Sequence, residues 1–522
     1  MAAGTKGSAS RGSGCLILGL TALAILVAAP PSRGAEKVFV YALAGEPESL
    51  DSAKASSQQS IYVTWLLCDT LINISKDGQS LEPGLAESWT VTRDGLQAVF
   101  KLRSGVVFHD GTPLDAHAVK ASFERQFRPA HELYSAEPKN TKEQMLRELI
   151  DDITVQDGLT LLFKLKSPGL HYLSQVEVMS PAAIARLGKE FGRNPACTGP
   201  FRFDAWSRDR ILLAANERYW AGRPRIDRVV FRFIPEAKAV VEGLLKAEVD
   251  FSPLVQDPVA FERLRESQRV KLLPVAGLNI YYLGFYTERP PFNNALLRRA
   301  VVHAINVPRT TLFLGRGATV AAKGPLPPAM KGHDATVTQG PYDPEAARRL
   351  LSRAGPGQGL TVNLVYDSAV TFYAELAGAI QSDLRRIGIR VELLGKPSQR
   401  DVVRAAQARE GDMFLYSWHV RAPYPERLLV PLLHTRSIGT SNLTHYSNAT
   451  VDRLLDEALR LPEGPGQSRI YSQIQKLIVE DAPMVFFYHL TRMAAYADRV
   501  QGLELNLGSL PHDKLVKVEL AP

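Results

Sequence analysis

The feature that most restricts the fold of this chain is a change of hydrophobic rhythm partway along it. In the first half, apolar and polar residues alternate in short runs such as KVFVYAL, TVTRD and AVFKLR, and Asp-Gly turns punctuate TRDG and ITVQDGLTLLFKL. Period-two runs bounded by such turns are hairpin strands with one face buried. From PPFNNALLRRAVVHAIN onward the rhythm becomes helical. DPEAARRLLSRAG and FYAELAGAIQSDLRRIG alternate with the strand candidates LTVNLVY, IRVELL and DMFLYSW, which is an α/β pattern. VDRLLDEALRL and SRIYSQIQKLIVEDAP add two helices before a strand-rich end, MVFFYHL and VQGLELN. At 522 residues the chain exceeds one ordinary core. The expected layout is therefore a β-rich lobe, an α/β lobe and a return of the chain to the first. In the first half, SIYVTWLLCDTLINI reads as a helix running into a strand, and LDAHAVKASFERQF as a helix capped by Asp115.

The N-terminal residues are a different material. MAAGTKGSASRGSG is basic without an acid, residues 15–29 form an uncharged, largely apolar run, and PPSRGAEK follows. That order is expected of a secretory signal peptide over 1–35, with an apolar run shorter than the ~20 residues of a spanning helix. Cys15 begins the run instead of ending it, which argues against a lipid-anchored cysteine. Export to the periplasm is the expectation. The formal net charge of +8 is spread along the chain with no Lys/Arg block, so no nucleic-acid partner is expected.

Export governs how cysteine is read. Past the leader there are two, Cys68 in LLCDTLI and Cys197 in NPACTGPF. In an oxidising compartment they are expected to form one disulfide, the alternative being two buried thiols. Neither has metal-ligand spacing, and no metal or cofactor is expected. His109 and Asp110 in FHDG suggest a dyad, but neighbouring strand residues face opposite ways and Asp-Gly-Thr-Pro is ordinary turn chemistry. The histidines at 419, 434 and 445 fit no compact metal motif. Nucleotide loops, nucleophile elbows and zinc-protease motifs are absent from the sequence. A binding protein is favoured over a secreted hydrolase or a chaperone-like factor.

Several segments, in order, resemble the extracellular solute-binding proteins of family 5, the peptide- and nickel-type receptors of ABC importers. They are LEPGLAESWTVTRDGLQAVFKLRSGVVFHDGTPLDAHAVKASFER, CTGPFRFDAW, NERYW, PPFNNALLRRAVVHAIN, DPEAARRLLSRAG and HYSNATVDRLLDEA. The resemblance implies a two-lobed α/β periplasmic-binding fold (type II) with a β-rich subdomain inserted in the first lobe. On that basis residues 36–285 form lobe I, 286–485 lobe II, and 486–522 return to lobe I. It further implies a monomer that takes a short peptide or another small solute to ABC permease subunits and hydrolyses nothing. The variant cargo is a non-peptide anion such as an opine, a glutathione-like molecule, a sugar acid or a metal chelate.

Two departures from the family pattern carry expectations. The usual Gly-Thr-Gly-Pro turn reads Cys197-Thr198-Gly199-Pro200, consistent with recruitment of Cys197 to pair with Cys68. In peptide-binding relatives the strand ending in Trp is followed, three residues on, by an acid that pairs with the peptide ammonium. Here the Trp is Trp418 and the third residue on is Arg421. At ~4 Å and an effective dielectric near 20, a unit-charge interaction is ~4 kcal/mol before screening, enough to change ligand class. Arg421 is thus expected to face an anionic oxygen, with Trp418, His419 and Tyr424 around it, the alternative being that it turns outward or pairs with Glu426. The loop and helix start Ser56, Ser57, Gln58 and Gln59 are expected to offer neutral donors and acceptors. Asn279 and Tyr281, just before the presumed crossing, are further candidates, and of Tyr281 and Tyr282 only one can face the cleft.

Overall fold

VFVYAL becomes the strand Val38–Leu43, whose buried side chains Phe39, Tyr41 and Leu43 enter one core. It lies in the middle of a seven-stranded sheet in a computed structural model. The order is Val270–Val275, Arg492–Ala497, Phe251–Ser252, Val38–Leu43, Arg228–Phe233, Arg210–Ala215 and Phe201–Trp206. Val38–Leu43 is parallel to Arg228–Phe233, with Val38 opposite Arg228. The described residues are 36–55, 57–134, 141–253, 258–315, 319–355, 359–420, 422–508 and 510–521. The expected leader at 1–35 and two expected ligand contacts, Ser56 and Arg421, lie outside them. No helix among the described residues is long and apolar enough to cross a membrane.

The Asp-Gly hairpins build a separate antiparallel sheet of four strands, Ala86–Val91, Gln97–Leu102, Thr160–Leu165 and Ile150–Asp157. Alternate residues Ala98, Phe100, Leu102, Leu161 and Phe163 fill its own core with Val119 and Phe123 of the helix Ala116–Glu124. That helix starts where expected, because the Asp115 carboxylate accepts from the Ala118 N–H at 2.8 Å.

The α/β half forms a six-stranded sheet in the order Thr319–Ala321, Met484–Leu490, Asn279–Phe285, Met413–His419, Thr361–Asp367 and Arg390–Lys396. Cores lie on both of its faces. Helices Ala295–Ala304, Pro344–Ala354 and Ala449–Arg460 carry the side-chain caps Asn294, Asp343 and Asn448.

The chain passes twice between the two large sheets. Asn279–Phe285 pairs with Met413–His419 and Met484–Leu490 in the six-stranded sheet, whereas Val270–Val275 belongs to the seven-stranded one. Met484–Leu490 lies in the six-stranded sheet and Arg492–Ala497 in the seven-stranded one. The two crossings are fastened to each other. The Asn279 side chain donates to the Leu490 carbonyl at 3.0 Å and accepts from the Leu490 N–H at 2.7 Å. His489 Nδ1 bonds the Asn279 carbonyl at 2.7 Å. Gly277 lies so close that a Cβ there would collide with the Leu490 carbonyl oxygen.

Candidate functional site: a cavity between the two large sheets

The helix Gln58–Leu67 begins at Ser57, whose hydroxyl accepts from the Ser60 N–H at 3.1 Å and donates to Glu48. It ends at Cys68, which is bonded to Cys197, as the cysteine count leads one to expect. The bridge draws the CTGP turn against the helix end, and Gly199 donates its N–H to the Leu67 carbonyl at 2.9 Å. A Cβ at Gly199 would stand 2.5 Å from that carbonyl, which is why glycine is needed there. Beneath the bridge, Asp69 is fully enclosed and accepts from Lys514 Nζ at 2.6 Å, Trp220 Nε1 at 2.9 Å, Thr198 Oγ1 at 3.0 Å and the Tyr219 hydroxyl at 3.2 Å.

This helix and the end of the strand Met413–His419 face a shared cavity of about 510 Å³. That is the size range of small-ligand pockets, and its place beyond the carboxyl end of a strand is where α/β sheets bind ligands. Gln58, Ile61, Trp65 and Cys68 come from the helix side, and Trp418, His419, Val420, Ala422 and Pro423 from the strand side. Lys142, Met145, Gln175 and Glu177 form another wall, and Asn506, Leu507, Gly508 and Leu510 close it from the C-terminal segment. Both tryptophans are fixed by backbone carbonyls: Trp65 Nε1 donates to Pro511 at 2.8 Å and Trp418 Nε1 to Arg427 at 3.0 Å.

Of the residues expected from sequence, Gln58, Trp418 and His419 line this cavity. His419 is exposed to it yet hemmed in, and that enclosure, with the nearby Arg492 charge, pushes its imidazole down to about 4. Ser57 acts as the helix cap, and Gln59 is not among the lining residues. Asn279 is occupied at the crossing. Tyr281 stacks on Tyr488 at 4.6 Å and meets His419 edge-on at 5.6 Å, outside the lining, while Tyr282 is buried on the other face.

Tyr424 points elsewhere. It is 2% exposed and stacks on His171 with ring centroids 3.5 Å apart. His171 also approaches Glu426 at 3.4 Å and Glu463 at 3.2 Å, and Tyr172 donates to Glu426 at 2.9 Å. These contacts join the Leu170–Gln175 turn, packed against the four-stranded sheet, to the segment after Trp418. Burial alone would raise Glu463, but His171 and Lys331 outweigh it and hold its carboxyl at about 2.

The His109–Asp110 pair is spent on structure. Asp110 accepts from the Thr112 N–H at 3.0 Å and Ser180 Oγ at 2.7 Å, while His109 bonds the Gly199 carbonyl at 3.0 Å. Burial pushes the His109 imidazole down to about 4. No group of acids, histidines and cysteines suited to a metal occurs among the described residues.

Trp65, Lys142, Glu177, Arg427, Arg492, Asn506, Leu507, Gly508 and Leu510 were not foreseen as site residues. Only Trp65 carried a signal, lying two turns along the helix from Gln58. The others reach the cavity through contacts distant in sequence.

Comparison with known proteins agrees with this geometry. Heme-binding protein A of Haemophilus influenzae is 29% identical over 499 residues, covering 89% of each chain. The dipeptide-binding protein of Escherichia coli K12 is 27% identical over 536 residues, covering 97% of this chain and 99% of that one. The solved structure of HbpA2 from Haemophilus parasuis superposes with a TM-score of 0.87 at 24% identity, over 93% of this chain and all of that one. The solved neighbours are two-lobed periplasmic binding proteins, and this chain has their α/β fold. The model for the middle of the bacterial extracellular solute-binding proteins, family 5, matches residues 80–440, and the chain belongs to that family.

Proposed function

We propose that this protein is the solute-capturing receptor of an ABC importer, taking a peptide or peptide-like solute in the periplasm and handing it to membrane permease subunits. The observation that carries this reading is the cavity of about 510 Å³ bounded by Trp65 and Trp418 and placed where the chain passes twice between its two large sheets. Two segments crossing between rigid halves allow the halves to close on a solute and release it. In this reading one lobe comprises 37–275 with 492–521, the other 279–490, and the four-stranded sheet is the β-rich insert. Residues 1–35 direct export and are removed, and the receptor works as a monomer without a cofactor. Relatives that carry dipeptide and heme in their names support a binding role.

The test is mass spectrometry of small molecules released from the exported protein, followed by titration of the stripped protein while Trp fluorescence is recorded. Saturable one-to-one binding without chemical change of the solute is expected. Turnover of the solute by the isolated chain, or absence of any saturable ligand, refutes the reading.

A further inference from the structure

The cavity wall is electrically unbalanced. Among its described residues there are three cations, Lys142, Arg427 and Arg492, and one carboxylate, Glu177. Glu177 is already taken, because Lys142 Nζ lies 2.7 Å from its Oε2. The two guanidiniums have no carboxylate partner among the described residues. Arg427 stands over the Tyr172 ring at 4.4 Å and donates to the Met145 sulfur at 3.0 Å, a weak acceptor. Arg492 lies near His419 and Tyr281, neither of which is anionic at neutral pH.

Half-buried guanidiniums without counter-ions are costly in an empty site and favourable when a ligand supplies the anions. A planar fork also selects carboxylates by paired hydrogen bonds. The opposite requirement is unmet. With Glu177 neutralised by Lys142, the described wall offers no free acid to receive an ammonium group.

Resting on the receptor reading above, we propose that the cargo is a peptide-like dicarboxylate, its two carboxylates received by Arg427 and Arg492, and that a free α-ammonium is not recognised. The apolar part of such a molecule lies against Trp65 and Trp418, and Gln58 and Asn506 supply neutral polar contacts.

Calorimetry of the unmodified protein with three probes tests the charge rule: N-acetyl-Phe-Glu (two carboxylates, no ammonium), its neutral diamide, and cationic Phe-Lys. The dianion is expected to bind at least about 100-fold more tightly than the diamide, the effect of losing two charge-assisted contacts. Arg427→Gln and Arg492→Gln are each expected to weaken the dianion by about tenfold or more while the diamide changes less than about twofold. Arg427→Lys keeps the charge and recovers part of the loss. Binding of the diamide or Phe-Lys as tight as that of the dianion overturns the dicarboxylate rule and leaves the receptor role standing. So does dianion binding that both Gln variants leave unchanged. If no probe binds and no small molecule is released from the exported protein, the receptor reading itself falls, and this inference with it.

Discussion

Replacing Asp69 by Asn should destabilise the protein far more than a typical polar substitution. Its carboxylate has four donors, and both members of the Asp69–Lys514 pair are enclosed, with side-chain exposures of 4% and 7%. Lys514 Nζ also donates to the Cys68 carbonyl at 2.5 Å, so the ammonium cannot swing to water without releasing the disulfide-bearing segment. Removing the negative partner strands a buried cation, which costs about 3–5 kcal/mol. Burial by itself would raise the Asp69 pKa, but the Lys514 ammonium and the hydrogen bonds outweigh it, and the net shift is downward. A carboxyl held below its unfolded value of ~3.9 contributes stability that is complete above that pH and is lost as pH falls through the folded value. Urea unfolding of solute-free protein, followed by circular dichroism at pH 7 and pH 3, measures both effects. Asn at 69 should lower stability by several kcal/mol at pH 7 and flatten the acid-side decline, and adding Lys514→Met should restore most of the loss. A loss below about 1 kcal/mol, or a double variant no more stable than the single one, would refute the assignment of a stranded charge.

Reduction of Cys68–Cys197, 129 residues apart, should lower the unfolding free energy by up to about 5 kcal/mol in the chain-entropy account. Thermal scans with and without dithiothreitol check this, and an unchanged midpoint contradicts it. His171→Ala removes the stack on Tyr424 and the approaches to Glu426 and Glu463. It should weaken solute binding several-fold and raise the radius of gyration in small-angle scattering, and no change in either speaks against a closing contact. Burial pushes the His489 imidazole down to about 4, with the Asn279 carbonyl opposing and His333 reinforcing the shift. Because the unfolded chain takes up a proton at ~6.5 that the fold excludes, stability should fall between about pH 6.5 and 4, by about 2 kcal/mol at pH 5. His489→Gln should make that decline shallower in urea midpoints, and an identical slope refutes the linkage.

The local elements were readable because their signals are local. KVFVYAL, the Asp-Gly hairpins and the helix opened by Asp115 carry their period, turn or cap within one window of sequence. The crossings were less legible. Arg492–Ala497 is RMAAYA, small and weakly alternating, and its strand character comes from pairing with Val270–Val275 and Phe251–Ser252. At the site, Trp418 and Gln58 were foreseen because a strand end and a helix start are visible in sequence. The resemblance placed Tyr424 beside them, but its ring stacks on His171, a partner 253 positions away in the chain. Arg421 lies outside the described residues, and the positive charge along the described wall has another source. It comes from Arg427 and Arg492, which only tertiary structure brings there.

The amide of Asn279 has a mechanical consequence. By clasping Leu490 through donor and acceptor together, it ties the two strand ends from which the chain passes to the other sheet. Sliding one strand past the other would break both bonds at once. Slippage of one strand end against the other is thereby resisted at the point where both leave the sheet.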